Sequence, residues 1–150
     1  MKTVISRKPS ETLKLAKRIA SALTLPATLA LWGSLGTGKT QFVKGLAAGL
    51  GIRQTILSPT FLLYREYPFR QQGYRYNLYH FDLYRLKKIS EIKNFGLNDI
   101  LRDPKGLIVI EWPKLIQKKL PKRTFSIFFT HGQSPQERKI QIPSPLSKFV

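Results

Sequence analysis

The segment Gly33-Ser34-Leu35-Gly36-Thr37-Gly38-Lys39-Thr40 constrains this chain more than any other stretch, because it matches G-x-x-x-x-G-K-S/T in a setting where that pattern has mechanical meaning. Ahead of it, residues 27–32 form a short apolar run bounded by turn residues, the pattern of a strand buried on both faces. Behind it, Phe42, Leu46 and Leu50 recur every fourth residue and Gly49 and Gly51 close the run, the pattern of a helix. Glycines at 33, 36 and 38 permit a turn in which successive backbone N–H groups face one anion, while the helix aims its positive end at the same point. Lys39 then reaches the terminal phosphates of a nucleotide, and the Thr40 hydroxyl supplies an oxygen to magnesium. Residues 33–40 are therefore expected to form a phosphate-binding P-loop.

The remaining periodicities predict an α/β chain. Leu15, Ile19 and Leu23 mark an amphipathic helix over residues 11–23, with Ser10 as its N-cap and Glu11 matched to the positive helix start. Residues 56–61 read as a loop leading into an extended stretch through Tyr67. Residues 65–73 read as a polar turn, and residues 74–81 as a strand pairing back in a hairpin. A short helix falls within residues 90–100, and Asp103-Pro104-Lys105-Gly106 turns into a second buried strand, residues 107–110, that ends in Glu111-Trp112. Residues 125–130 and 139–142 read as strands separated by the turn-rich stretch 132–136. A length of 150 residues fits one domain, with a core from about residue 10 to 142 and a loose tail at 143–150.

Charge and composition narrow the classes. The 26 Lys and Arg outweigh 8 Asp and Glu, and the formal +18 predicts attraction to polyanions such as RNA, DNA or anionic membranes. No cysteine is present, which excludes disulfides, thiol catalysis and thiolate metal sites. No apolar run approaches a membrane span and the first residues lack the apolar core of a secretion signal, so a soluble cytoplasmic protein with no membrane partner is expected.

A phosphate-binding loop also needs an acid near the metal, at the end of another strand. Glu111 closes the apolar run 107–110, and Asp82 follows Leu78-Tyr79-His80-Phe81, so two acids compete for that place. His80 is a catalytic candidate, but set among aromatics it reads rather as a packed or hydrogen-bonded structural residue, and His131 sits in a turn with no specific role.

Four blocks in order carry a resemblance: residues 33–40, then Ser58-Pro59-Thr60-Phe61, then His80-Phe81-Asp82-Leu83-Tyr84-Arg85-Leu86, then Ile110-Glu111-Trp112-Pro113. In that spacing the chain resembles the TsaE (YjeE) family, the ATPase of the bacterial pathway that makes threonylcarbamoyladenosine in tRNA. The resemblance runs from about residue 10 to 142. It implies a single-domain P-loop NTPase sandwich with a mixed, largely parallel central sheet, ATP and Mg2+ as cofactors, and action beside TsaD and TsaB homologues, with tRNA inside that complex.

Carried over by position, the resemblance makes Lys39 the phosphate lysine, Thr40 and Glu111 the magnesium ligands and Asp82 a residue of the hydrolysis site. Gly33, Ser34, Leu35, Gly36, Thr37 and Gly38 wrap the phosphates, Thr60 belongs to a switch-like loop facing the terminal phosphate, Arg138 lies close to the nucleotide and Thr12 near the base. The family usually carries Asp where this chain has Ser34, and Thr or Ser where it has Gln41.

Other classes fit less well. A GTPase would place Asp-x-x-Gly after its strand, whereas Asp103 to Gly106 precede one, and no Asn-Lys-x-Asp guanine reader is present, so ATP is preferred. A small-molecule kinase would need an acceptor site and an Arg-bearing lid, for which residues 65–75 are the only suggestion. A basic ATP-dependent nucleic-acid-binding module would use the aromatic and basic residues of 64–84, a pattern that sheet packing also explains.

Overall fold

The computed structural model describes residues 1–59, 62–93 and 95–150. In chain order they form β1 (Lys2–Ser6), α1 (Pro9–Ala22), β2 (Ala27–Trp32), α2 (Lys39–Gly49), β3 (Tyr64–Gln71), β4 (Tyr74–Asp82), α3 (Ser90–Lys93), α4 (Leu97–Ile100), β5 (Gly106–Glu111), a 3-10 helix (Pro113–Lys119), β6 (Phe125–His131), β7 (Arg138–Ile142) and α5 (Ser144–Ser147). The strands make one seven-stranded sheet in the order β1-β7-β6-β2-β5-β4-β3. The four middle strands β6, β2, β5 and β4 run parallel, and each side of the sheet is finished by antiparallel pairing. The result is the mixed α/β sheet expected, with its parallel part confined to the middle.

Parallel strands in this position are covered on both faces, which is why β5 is buried at every residue. Alternate side chains divide between two cores: Leu107 and Val109 face α1 and α2 with Leu15, Ile19, Phe42 and Leu46, while Ile108 and Ile110 face Ile92, Leu97 and Ile116 on the other side. Helices α1 and α2 approach closely because Gly45 and Gly49, one turn apart, oppose Ala16 and Ala20. A Cβ at residue 49 would lie 2.6 Å from the Lys17 carbonyl oxygen and 2.8 Å from the Ala20 Cβ, and one at residue 45 would overlap the Leu13 carbonyl.

Four local expectations are corrected. The first helix starts at Pro9, so Ser10 lies inside it; the cap residue is Lys8, with no side-chain cap bond, and the Glu11 carboxylate instead accepts the Arg7 N–H at 2.7 Å. The polar stretch 65–73 is strand as far as Gln71, and the reversal is confined to Gln72 and Gly73, whose φ values of 50° and 83° suit a two-residue hairpin. Pro68 is tolerated there because β3 is an outermost strand. The core extends beyond residues 10–142: β1 pairs with β7 along its whole length. The tail expected to be loose carries α5, with Leu146 only 3% exposed and Val150 packed on the same core.

The α1–α2 contact gives a stability test. Gly45→Ala should lower the free energy of unfolding by about 1–3 kcal/mol through overpacking, read from the urea midpoint, and an unchanged midpoint would mean that the two helices can separate at no cost.

Candidate functional site

Because β2, β4 and β5 run parallel, their C-terminal ends deliver three things to one edge of the sheet: the glycine loop after β2, Asp82 from β4 and Glu111 from β5. The sheet register sets Asp82 directly beside Glu111 and Glu111 beside Leu31. A cavity of about 560 Å³ opens there, walled by Gly36, Gly38, Lys39 and Thr40 on one side and by Asp82, Glu111 and Trp112 on the other.

Close packing accounts for the loop's first glycine. A Cβ on Gly33 would sit 2.5 Å from the Phe129 carbonyl oxygen, so only glycine lets the loop leave β2 against β6. Gly36 and Gly38 adopt φ of +74° and +93°, the left-handed region, immediately before α2 begins at Lys39. The Thr37 side chain is fully buried and its hydroxyl donates to the Ser34 carbonyl at 2.8 Å.

Lys39 is folded back on the loop. Its ammonium donates to the carbonyls of Gly33 at 2.9 Å and Ser34 at 2.8 Å and lies 4.0 Å from the centre of the Trp112 ring. Burial pushes its pKa down, and the nearby carboxylates of Glu111 and then Asp82 oppose that shift.

Glu111 is 2% exposed and both its oxygens are engaged. The Thr40 hydroxyl lies 3.0 Å from Oε1 and 3.1 Å from Oε2, and His80 Nε2 lies 2.8 Å from Oε1. A carboxylate only accepts, so His80 carries its proton on Nε2 in this contact, and the buried Nδ1 has no partner among the described residues. Asp82 is less enclosed: it accepts from the Ser58 hydroxyl at 2.9 Å and from the Tyr84 N–H at 3.0 Å.

The arrangement presents a cation, a helix N-terminus and a hydroxyl to an anion, with an oxygen pair from Thr40 and Glu111 adjacent. That donor set fits a hard divalent cation such as magnesium, which takes one or two protein oxygens and completes its shell from phosphate and water. No group of three or more His, Cys, Asp or Glu side chains able to hold a metal by itself occurs among the described residues.

Lys39, Thr40, Asp82, Glu111 and the loop are thus brought together. Thr12 does not line this cavity; it is 2% exposed and its hydroxyl lies 2.8 Å from the Ser6 hydroxyl. Thr60, assigned to the switch-like loop, lies outside the described residues, while its neighbours Ser58 and Pro59 line the cavity. Arg138 touches the loop, donating from Nε to the Gly36 carbonyl at 3.0 Å. Sequence reasoning missed three participants. Trp112 follows the strand's terminal acid directly, a position that could have drawn attention. His80 is tied to Glu111, and His131 donates to the Leu35 carbonyl at 3.2 Å; no local pattern announces either contact.

Comparison with known proteins points to one family. Residues 6–140 match the family model described as threonylcarbamoyl adenosine biosynthesis protein TsaE. The chain is 40% identical over 132 residues to the tRNA threonylcarbamoyladenosine biosynthesis protein TsaE of Bacillus subtilis, covering 88% of this chain and 78% of that protein. It is 37% identical to the protein of the same description from Treponema pallidum, covering 82% of this chain and 87% of that one. Among solved structures it is similar to Bacillus subtilis YdiB, with a TM-score of 0.70 and 28% identity over 99% of this chain and 90% of that one. No helix among the described residues is long and apolar enough to cross a membrane.

The buried carboxylate predicts a contrast between two substitutions. Glu111→Ala strands His80 and Thr40 without an acceptor and should cost about 2–3 kcal/mol of stability, while Glu111→Gln, which keeps an acceptor oxygen, should cost about 1 kcal/mol. Urea unfolding of both variants checks this; equal losses would show that the hydrogen bonds contribute nothing beyond side-chain volume.

Proposed function

The chain belongs to the TsaE family of tRNA threonylcarbamoyladenosine biosynthesis, and from that membership we propose that it is the ATP-binding and ATP-hydrolysing component of the pathway, working in the cytoplasm with TsaD and TsaB homologues. The observation that carries this reading is the convergence of Lys39, Thr40, Asp82 and Glu111 on one cavity beside the glycine loop.

Each side chain has a distinct part. Two of the three N–H donors of Lys39 are spent on the Gly33 and Ser34 carbonyls, which leaves one for a phosphate oxygen and fixes where it points. The loop amides and the start of α2 neutralise the rest of the phosphate charge. Thr40 and Glu111 would hold magnesium, which would supply positive charge to offset that of the phosphates. Glu111 is 2% exposed and set against Thr40 and His80, whereas Asp82 is half-buried on the cavity wall. Asp82 is therefore assigned to orient the water that attacks the terminal phosphate in line as the bond to the ADP oxygen breaks.

The +18 charge supports an encounter with tRNA inside the complex, since neutralising phosphates releases counterions and makes affinity fall linearly with the logarithm of salt concentration. Steady turnover of labelled ATP to ADP and inorganic phosphate, with no acceptor added, separates this reading from a kinase.

Three variants test the assignment. Lys39→Ala should reduce ATP hydrolysis by about two orders of magnitude or more with the fold intact; wild-type turnover would remove the loop from the mechanism. Glu111→Gln should raise the magnesium concentration needed for half-maximal activity. Asp82→Asn should depress kcat more than nucleotide affinity, and identical magnesium titrations for wild type and the Glu111 variant would contradict the ligand assignment.

A further inference from the structure

The hairpin formed by β6 and β7 meets the glycine loop at three successive points. The Phe129 carbonyl abuts Gly33, His131 Nε2 donates to the Leu35 carbonyl at 3.2 Å, and Arg138 Nε donates to the Gly36 carbonyl at 3.0 Å. Arg138 is itself held in place, since Nη1 donates to the carbonyls of Pro135 at 2.7 Å and Glu137 at 2.8 Å. The hairpin end that carries both donors is closed by the Gly132 N–H donating to the Glu137 carbonyl at 2.8 Å.

Placement decides what these contacts do. Leu35 and Gly36 line the cavity, whereas His131 and Arg138 do not, so the two donors grip the loop from outside it. In a trans peptide the C=O and the following N–H point in opposite directions. Carbonyls of Leu35 and Gly36 drawn toward the hairpin therefore turn the N–H groups of Gly36 and Thr37 the other way, toward the cavity. The tether matters because Gly36, at φ +74°, has no side chain to resist a flip of either adjoining peptide plane. A flip would present a carbonyl oxygen to the phosphates where an N–H is needed.

We infer that His131 and Arg138 are positioning residues that set the polarity of the phosphate cradle, one fixing the peptide plane between residues 35 and 36 and the other that between 36 and 37. Arg138 then acts on the loop and not on the nucleotide. The inference rests on the proposed nucleotide reading of that loop and names the residues that keep it competent.

The test compares dissociation constants for ATP and ADP, with magnesium, in the wild-type chain and in His131→Leu, His131→Gln, Arg138→Met and Arg138→Gln, with melting temperatures recorded for each. The Leu and Met variants should weaken both nucleotides about tenfold, a loss of about 1.4 kcal/mol. Each Gln variant keeps an N–H near the lost donor and should recover most of the affinity. The double variant His131→Leu/Arg138→Met should lose more than either single one, because each donor holds a different peptide plane. An Arg138→Gln variant as impaired as Arg138→Met would show that the arginine's charge acts on the nucleotide directly and would overturn the inference, as would wild-type affinity in both donor-free variants. Lys39→Ala serves as the control: if it binds ATP normally, the nucleotide reading falls and the inference with it, whereas weakened binding there beside intact binding in the donor-free variants overturns the inference alone.

Discussion

Glu111 is an acid almost wholly removed from water at the end of a strand with no exposed residue, and a carboxylate in that position must be met by donors or forfeit several kcal/mol. The donors come from two different elements: the Thr40 hydroxyl from the first turn of α2 and the His80 imidazole from β4. One side chain thus ties helix α2 to two neighbouring parallel strands at the point where their ends meet. The order of the middle strands, the placement of Asp82 and the seat of the glycine loop all lie around that contact. Its stability and its chemistry draw on the same atoms, since the oxygens that satisfy Thr40 in the free chain are those proposed to face a metal.

Local signals carried the parts of the site that lie on single segments. The strand, glycine loop and helix around residues 27–50 and the acid closing residues 107–110 are readable because hydrophobic periodicity and turn residues act over a few positions. What escaped the sequence depends on contacts between distant segments. Residues 2–6 have no strand-like alternation of their own and become β1 only by pairing with β7 at the other end of the chain. His131, read from the sequence as lying in a turn, is the last residue of β6 opposite Arg138, and its contact with Leu35 spans 96 positions. His80 was legible as a packed residue, but its bond to Glu111 exists only because β4 and β5 are neighbours in register. Leu146 reads as part of a loose tail until the sheet supplies the core it covers.

The two ends of the sheet contribute differently to the site. On one side, β4 delivers Asp82, which Ser58 and Tyr84 hold at the cavity wall. On the other, the β6–β7 hairpin adds no side chain to the cavity and instead holds the backbone of the loop. The loop therefore lies between a strand that brings a carboxylate to the cavity and a hairpin bonded to its backbone, with Lys39 folded on the carbonyls of Gly33 and Ser34 against the Trp112 ring.

The proposed reading puts the metal of a bound metal nucleotide at Thr40 and Glu111, and manganese(II) substituted for magnesium reads that position directly. In a two-dimensional amide NMR spectrum of the chain with ATP, trace manganese should broaden the signals of Thr40 and Glu111 first and that of Asp82 next, and omission of ATP should weaken the effect. Broadening centred elsewhere, for example at Asp99 and Asp103, or equally strong without nucleotide, would contradict the account.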